Sequence, residues 1–199
     1  MKKLYYKYKA RRLVIDGNGV GLGLIDYMIK PQVDPDTGDD YPDFGIYGGT
    51  QDDAAQEYKK YRTNSTEQDA IYIMKANAPI NTEAHSNALV QLSSGRVKML
   101  QDERIAKQKL LGTKVGMNMT PEQRADYLKP FTLTSILKEE MMNLREENEG
   151  VNIILKQANK SIKKDKFSAF EYGLYYIKEE EESKKKKKRF NAKDWRFYN

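Results

Sequence analysis

Leu13, Val14 and Ile15 form an unbroken apolar run that ends on Asp16, and the next seven positions, Gly17 to Gly23, hold four glycines. Consecutive apolar side chains point to opposite faces of a strand, so Arg12–Asp16 reads as a short strand buried on both sides. Such a strand belongs in a sheet covered by helices. The glycines end it abruptly and let backbone or a ligand come close. Leu22, Ile25, Met28 and Ile29 then repeat at helical spacing until Pro31 stops them.

The same alternation continues along the chain. Lys3–Ala10 reads as the end of a helix. Pro31–Asp43 is a loop crowded with Pro, Asp, Gly and Thr. Phe44–Tyr47 is a short strand, residues 51–67 are loop or irregular helix, and Ala70–Lys75 is a second buried strand. A helix follows over Asn81–Leu92, with Asn81 or Thr82 as N-cap, and Gly95 closes it. Arg96–Leu100 reads as a third strand and Asp102–Leu111 as a short helix. Thr120-Pro121-Glu122-Gln123 is a helix start with Thr at the cap, Pro at the first position and Gln completing a capping box. A helix over Thr134–Glu147 carries Ile136, Leu137, Met141 and Leu144. Val151–Leu155 is a fourth strand, and Lys163–Glu182 the last helix. In that helix Phe167, Phe170, Leu174 and Ile177 form the expected core stripe, with Ala169 and Gly173 permitting close packing. The fold class is α/β, layered, with no internal repeat.

Composition narrows the chemistry. The 199 residues contain no cysteine and one histidine, His85. Thiolate and multi-histidine metal sites are therefore excluded within this chain, and a metal would need oxygen ligands, which favours Mg²⁺ or Mn²⁺. No apolar run is long enough to cross a membrane, and the basic N-terminus lacks the apolar core of a signal peptide. The net charge of +6 is unevenly placed. Ser183–Asn199 holds eight Lys or Arg and one Asp, so the rest of the chain is close to neutral. This basic, aromatic-ended tail follows Glu179–Glu182, of which Glu180, Glu181 and Glu182 stand four residues before Lys184, Lys185 and Lys186, a spacing that supports a solvated helical extension.

Two constellations carry chemistry. Val14-Ile15-Asp16-Gly17-Asn18-Gly19-Val20-Gly21 puts a carboxylate at the carboxyl end of a strand, the functional edge of an α/β sheet. It is not a dinucleotide fingerprint, because the third glycine falls on Leu22 or Leu24, and it lacks the Lys-Ser/Thr of a P-loop. Lys163-Lys164-Asp165-Lys166-Phe167 places a second carboxylate at a helix N-terminus, where negative charge is favoured. Each taken separately is equally an Asp-Gly turn or an ordinary first-turn acid. As a pair on separate elements they fit two-metal phosphodiester hydrolysis, in which ions about 4 Å apart activate water and stabilise the leaving oxygen. Lys163, Lys164 and Lys166 would offset phosphate charge and contact DNA.

With these residues in view, Leu13–Tyr27 resembles the second acidic strand and following helix of phage terminase large-subunit nuclease domains. Ile162–Leu174 resembles the last acidic motif of the same family. The resemblance spans most of residues 5–180 and implies an RNase H-like mixed sheet flanked by helices. It implies Asp16 and Asp165 as catalytic metal ligands for Mg²⁺ or Mn²⁺. It also implies cutting of concatemeric double-stranded DNA in the host cytoplasm, with a portal protein and a small terminase subunit as partners. Two features depart from the family pattern. The family's first acid lies on an earlier strand, whereas about ten residues precede the Asp16 strand here, and no Walker A motif occurs. The expectation is a partial RNase H-like nuclease domain over 1–178, lacking the ATPase and first acidic strand and expected to cut when completed by them, with a charged tail over 179–199. Some relatives carry a histidine where this chain has Ile162. The alternative is a non-catalytic module that binds DNA or the portal through that tail. Asp26, His85 and the acidic loop Asp34–Asp43 read as solvated surface.

Overall fold

The computed structural model describes residues 1–18, 20–47, 58 and 69–189, the side chains of 20 and 187–189 excepted. The reading of 51–67 and the aromatic end of the tail, 190–199, therefore lie outside the described residues, apart from Tyr58. The chain divides into two compact units, one of Met1–Asn81 with Tyr172–Asn199 and one of Thr82–Glu171.

The first unit is built on a small parallel sheet. β1 (Leu13–Asp16), β4 (Gly45–Ile46) and β5 (Asp69–Met74) lie in the order β1-β5-β4. β5 is central, and Ala70 to Met74 are all buried, as an apolar run in a parallel sheet requires. Leu13, Val14, Ile15 and Asp16 register with Ile71, Tyr72, Ile73 and Met74. β1 is an edge strand, so only Ile15 is fully buried, while Leu13 and Val14 are half-buried. Helix α2 (Val20–Met28) contributes Ile25 and Met28 to the core, beside Tyr5, Ile15, Phe44, Ile46, Ile71 and Ile73.

Helix α1 (Lys2–Lys7) anchors the N-terminus. Lys2 is 2% exposed. Its ammonium donates to the carbonyl of Lys30 at 2.6 Å and to that of Pro42, and sits 5.0 Å from the Phe44 ring centroid. Two carbonyls and an aromatic face thus replace the water lost on burial. The Pro31–Asp43 loop contains a two-stranded antiparallel ribbon, β2 (Gln32–Val33) with β3 (Asp40–Tyr41). Its acids are organised as a turn: Asp34 accepts from the N–H groups of Asp36 and Thr37 and pairs with Lys3 at 3.0 Å. Asp34 is thus buried, not solvated.

The second unit is helical with one hairpin. It holds most of α3 (Ala78–Ser93), then α4 (Glu103–Leu111), α5 (Lys114–Asn118), α6 (Pro121–Met142), β6 (Leu144–Glu149), β7 (Asn152–Gln157) and the first turns of α7 (Asp165–Arg189). The capping box forms as expected: Gln123 N–H donates to Thr120 Oγ1 at 3.3 Å, and Thr120 N–H to Gln123 Oε1 at 3.0 Å.

Several expectations change. α3 begins at Ala78, because Asn77 Oδ1, and not Asn81 or Thr82, accepts the N–H of Ile80 at 3.0 Å. Arg96–Leu100 is not a strand. Val97 and Met99 turn inward alternately, but no strand pairs with them among the described residues. α6 is one helix running through Pro130 and ending at Met142, and Leu144–Glu149 is strand. The spacing Ile136, Leu137, Met141, Leu144 extends past the true end because Leu144 serves equally well as the first residue of β6. Asn143 makes the break: its N–H takes the last helical carbonyls, and its side chain bonds Asn159. The α7 stripe is also rotated. Phe167, Glu171, Tyr175 and Tyr176 are buried, Phe170 and Leu174 are half-buried, and Ile177 is 49% exposed. A Cβ on Gly173 would meet nothing within 4 Å, so the expected close packing there is absent.

Candidate functional site

Asp16 ends β1 with its side chain exposed. Gly17 N–H donates to Met74 O at 2.7 Å, which extends the ladder one residue beyond the strand. One Asp16 carboxylate oxygen accepts Asn18 N–H at 2.9 Å, and Asn18 Nδ2 donates to Ala76 O at 3.2 Å. This Asx turn fixes the carboxylate while leaving its second oxygen open. The adjacent glycines are required by packing. A Cβ at Gly21 would fall 1.6 Å from the Asp16 carbonyl oxygen, and one at Gly17 would fall 2.7 Å from Ile73 Cγ2. Asp26, farther along α2, is exposed.

Asp165 is the first residue of α7 and is exposed. The turn that presents it is held from below. Glu140, 2% exposed at the end of α6, accepts the N–H groups of Lys166 and Phe167 at 2.8 and 2.9 Å. It is a helix cap supplied from a distant element. Asn143 secures the preceding loop, donating to the carbonyls of Asn159 and Ile162 and accepting from Asn159 N–H. Of the three lysines around Asp165, Lys163 is exposed. Lys164 donates to Leu155 O at 3.2 Å, and Lys166 pairs with Glu140 at 3.3 Å. Two of the three are thus already engaged within the protein.

Asp16 belongs to the first unit and Asp165 to the second. Each fits a divalent cation as a hard oxygen donor. Among the described residues, no group of three or more His, Asp or Glu is gathered as a metal cage.

Two further polar clusters were not legible in the sequence. In the second unit His85 Nδ1 lies 2.6 Å from Glu171 Oε2, with side-chain exposures of 12% and 4%. His85 is therefore not a surface residue. It lines a groove of about 430 Å³ with Leu89, Met141, Leu144, Ile153 and Phe167 among its walls. In the first unit Glu180 accepts the Tyr47 hydroxyl at 2.9 Å and pairs with Lys184 at 3.1 Å and Arg11 at 3.4 Å. Burial acts to raise its pKa. The hydrogen bonds from Lys184 and Tyr47, with the Arg11 charge, outweigh that and hold the carboxyl down at about 2. Tyr72 and Tyr176, ring centroids 4.8 Å apart, are pushed up to about 12, chiefly by burial and then by neighbouring glutamates. Arg12 stacks on Tyr47 at 4.0 Å. The run of glutamates in α7 had suggested only exposed ion pairs.

No protein-family model, curated protein or solved structure matches this chain. Among the described residues, no helix is long and apolar enough to cross a membrane.

Proposed function

We propose that this chain is the nuclease segment of a phage terminase large subunit, of RNase H-like fold, which cuts concatemeric double-stranded DNA during genome packaging. Asp16 and Asp165 are its metal-binding carboxylates, and the portal and small terminase subunit are its partners. The observation that carries the reading is Asp16. It is an exposed carboxylate at the carboxyl end of a parallel strand, fixed by Asn18 and followed by Gly21, which packs against the Asp16 backbone. The support at Asp165 is similar in kind, since buried Glu140 and Asn143 hold the turn that presents it.

A bound Mg²⁺ or Mn²⁺ would lower the pKa of a water and offset charge on the leaving oxygen. The part of the chain's own residues is to hold carboxylates at fixed points and, through exposed Lys163, to draw phosphate toward Asp165. The experiment is a plasmid-nicking assay with Mn²⁺. Asp16→Ala and Asp165→Ala should each abolish cutting without altering the fold by circular dichroism. Wild-type cutting by either variant removes that residue from the site.

A second reading is a non-catalytic module that binds DNA or the portal through the lysine-rich tail that begins at Ser183. Under it neither variant changes affinity, and deletion of Ser183–Asn199 removes most of it.

A further inference from the structure

Helix α1 closes in a Schellman motif. Ala10 N–H donates to Tyr5 O at 2.9 Å, and Lys9 N–H to Tyr6 O at 3.1 Å. Lys9, between them, has φ 49°. This left-handed position ordinarily takes glycine, because a Cβ crowds the backbone there. Among the described residues the other positive-φ positions, 38, 95 and 150, are all glycine. Lys9 alone departs from that rule, at a cost in stability. What the position gains is a cation.

The surroundings give that cation a role. Lys7, Tyr8, Lys9 and Arg11 are all exposed, Tyr8 at 66%. Lys7 Nζ lies 5.7 Å from the Tyr8 ring centroid, and Arg11 keeps 65% of its side chain exposed while touching Glu180. Lys9 has no carboxylate partner among the described residues. The cations at the start of the same helix behave differently: Lys2 is buried on carbonyls and Lys3 is paired with Asp34. Lys3 is itself exposed and Arg11 touches Glu180, so Lys7 and Lys9 are the two cations of this segment with no carboxylate partner among the described residues.

We propose that Lys7, Tyr8, Lys9 and Arg11 form a strip that contacts the phosphate backbone of duplex DNA. The choice of DNA rests on the reading of Asp16 given above. The strip directly precedes β1, which ends on Asp16 in the same unit. A lipid surface fits less well, because six helical residues supply no extended apolar face.

The test is fluorescence anisotropy of a labelled duplex with the full chain in EDTA, across a salt series. Lys9→Gly should raise Tm, since glycine suits the conformation, and yet weaken binding. One lost phosphate contact makes the log–log salt slope shallower by about 0.9, which is about eightfold in affinity near 0.1 M salt. Lys9→Arg should keep the affinity. A Lys9→Gly protein that gains Tm and binds duplex as the wild type does overturns the proposal. So does a variant whose loss is confined to phosphatidylserine vesicles. Asp165→Asn tests the nuclease reading separately. Retained cutting sinks that reading and leaves the EDTA result standing, whereas lost cutting with an unchanged Lys9→Gly affinity sinks the strip alone.

Discussion

Glu140 Oε2 accepts the backbone N–H of Phe167 at 2.9 Å across 27 residues of sequence. The same oxygen takes Lys166 N–H, so one buried carboxylate satisfies two of the donors that a helix start leaves open. Glu140→Ala strands these donors where water is scarce. The expected loss is about 2–3 kcal/mol, read as a shift of the urea midpoint. Glu140→Gln keeps an acceptor and should lose about half as much. Equal losses in both would show that charge, not capping, is what Glu140 supplies.

Two glycines in helices should respond with opposite signs. Gly21→Ala places a Cβ 1.6 Å from the Asp16 carbonyl oxygen, and backbone cannot yield by that much. A loss of about 3 kcal/mol or more is expected, with the α2 start displaced. Gly173→Ala meets nothing within 4 Å and lies inside α7. It should gain about 0.5–1 kcal/mol from helix propensity. Thermal melts of the two variants check both signs.

The contrast shows what could be read from sequence. The β1 and β5 runs, the α2 spacing, the Thr120 capping box and the last helix follow from local patterns, because period and capping chemistry are local. Leu144 reads as helix from sequence because an apolar residue at helical spacing also suits a strand start, and only the Asn143 bonds to residues 159 and 162 decide between them. Arg96–Leu100 has strand-like alternation, but a strand needs a partner and the described residues supply none. The clearest omission is His85. Its partner lies 86 residues away, and no local signal announces such a pair. Asp16 and Asp165 were legible as exposed carboxylates on element ends. Glu140, which holds the Asp165 turn, looked like any other acid in a charged helix.

Acid should weaken the fold, with Asp34 and Glu180 among the carboxylates responsible. Asp34 is lowered by the Asp36 N–H and by the hydrogen bond and charge of Lys3, and Glu180 falls from 4.5 to about 2. A depressed folded pKa gives stability that is present above the unfolded value and lost as pH falls through the folded one. Urea midpoints should therefore drop between about pH 4.5 and 2, and Glu180→Gln should flatten that drop. The tyrosines act at the other end. With Tyr72 and Tyr176 raised from 10 to about 12, their contribution is complete below pH 10 and lost as pH rises through about 12. A flat midpoint across the acid range contradicts the Glu180 assignment.

His85 and Glu171 should prove coupled in the second unit. Glu171 is 3% exposed, so removing its 2.6 Å partner leaves a carboxylate buried without its cation or donor. His85→Ala should cost about 3 kcal/mol, most of it the penalty on the stranded acid. Glu171→Ala should cost less, because neutral imidazole tolerates burial better than an unpaired carboxylate does. The double variant should then fall well short of the sum of the two losses, with a coupling of about 1–2 kcal/mol in a double-mutant cycle. Urea denaturation of the four proteins measures it. Simple additivity would mean that the pair packs without interacting, and that Glu171 finds other donors in the folded chain.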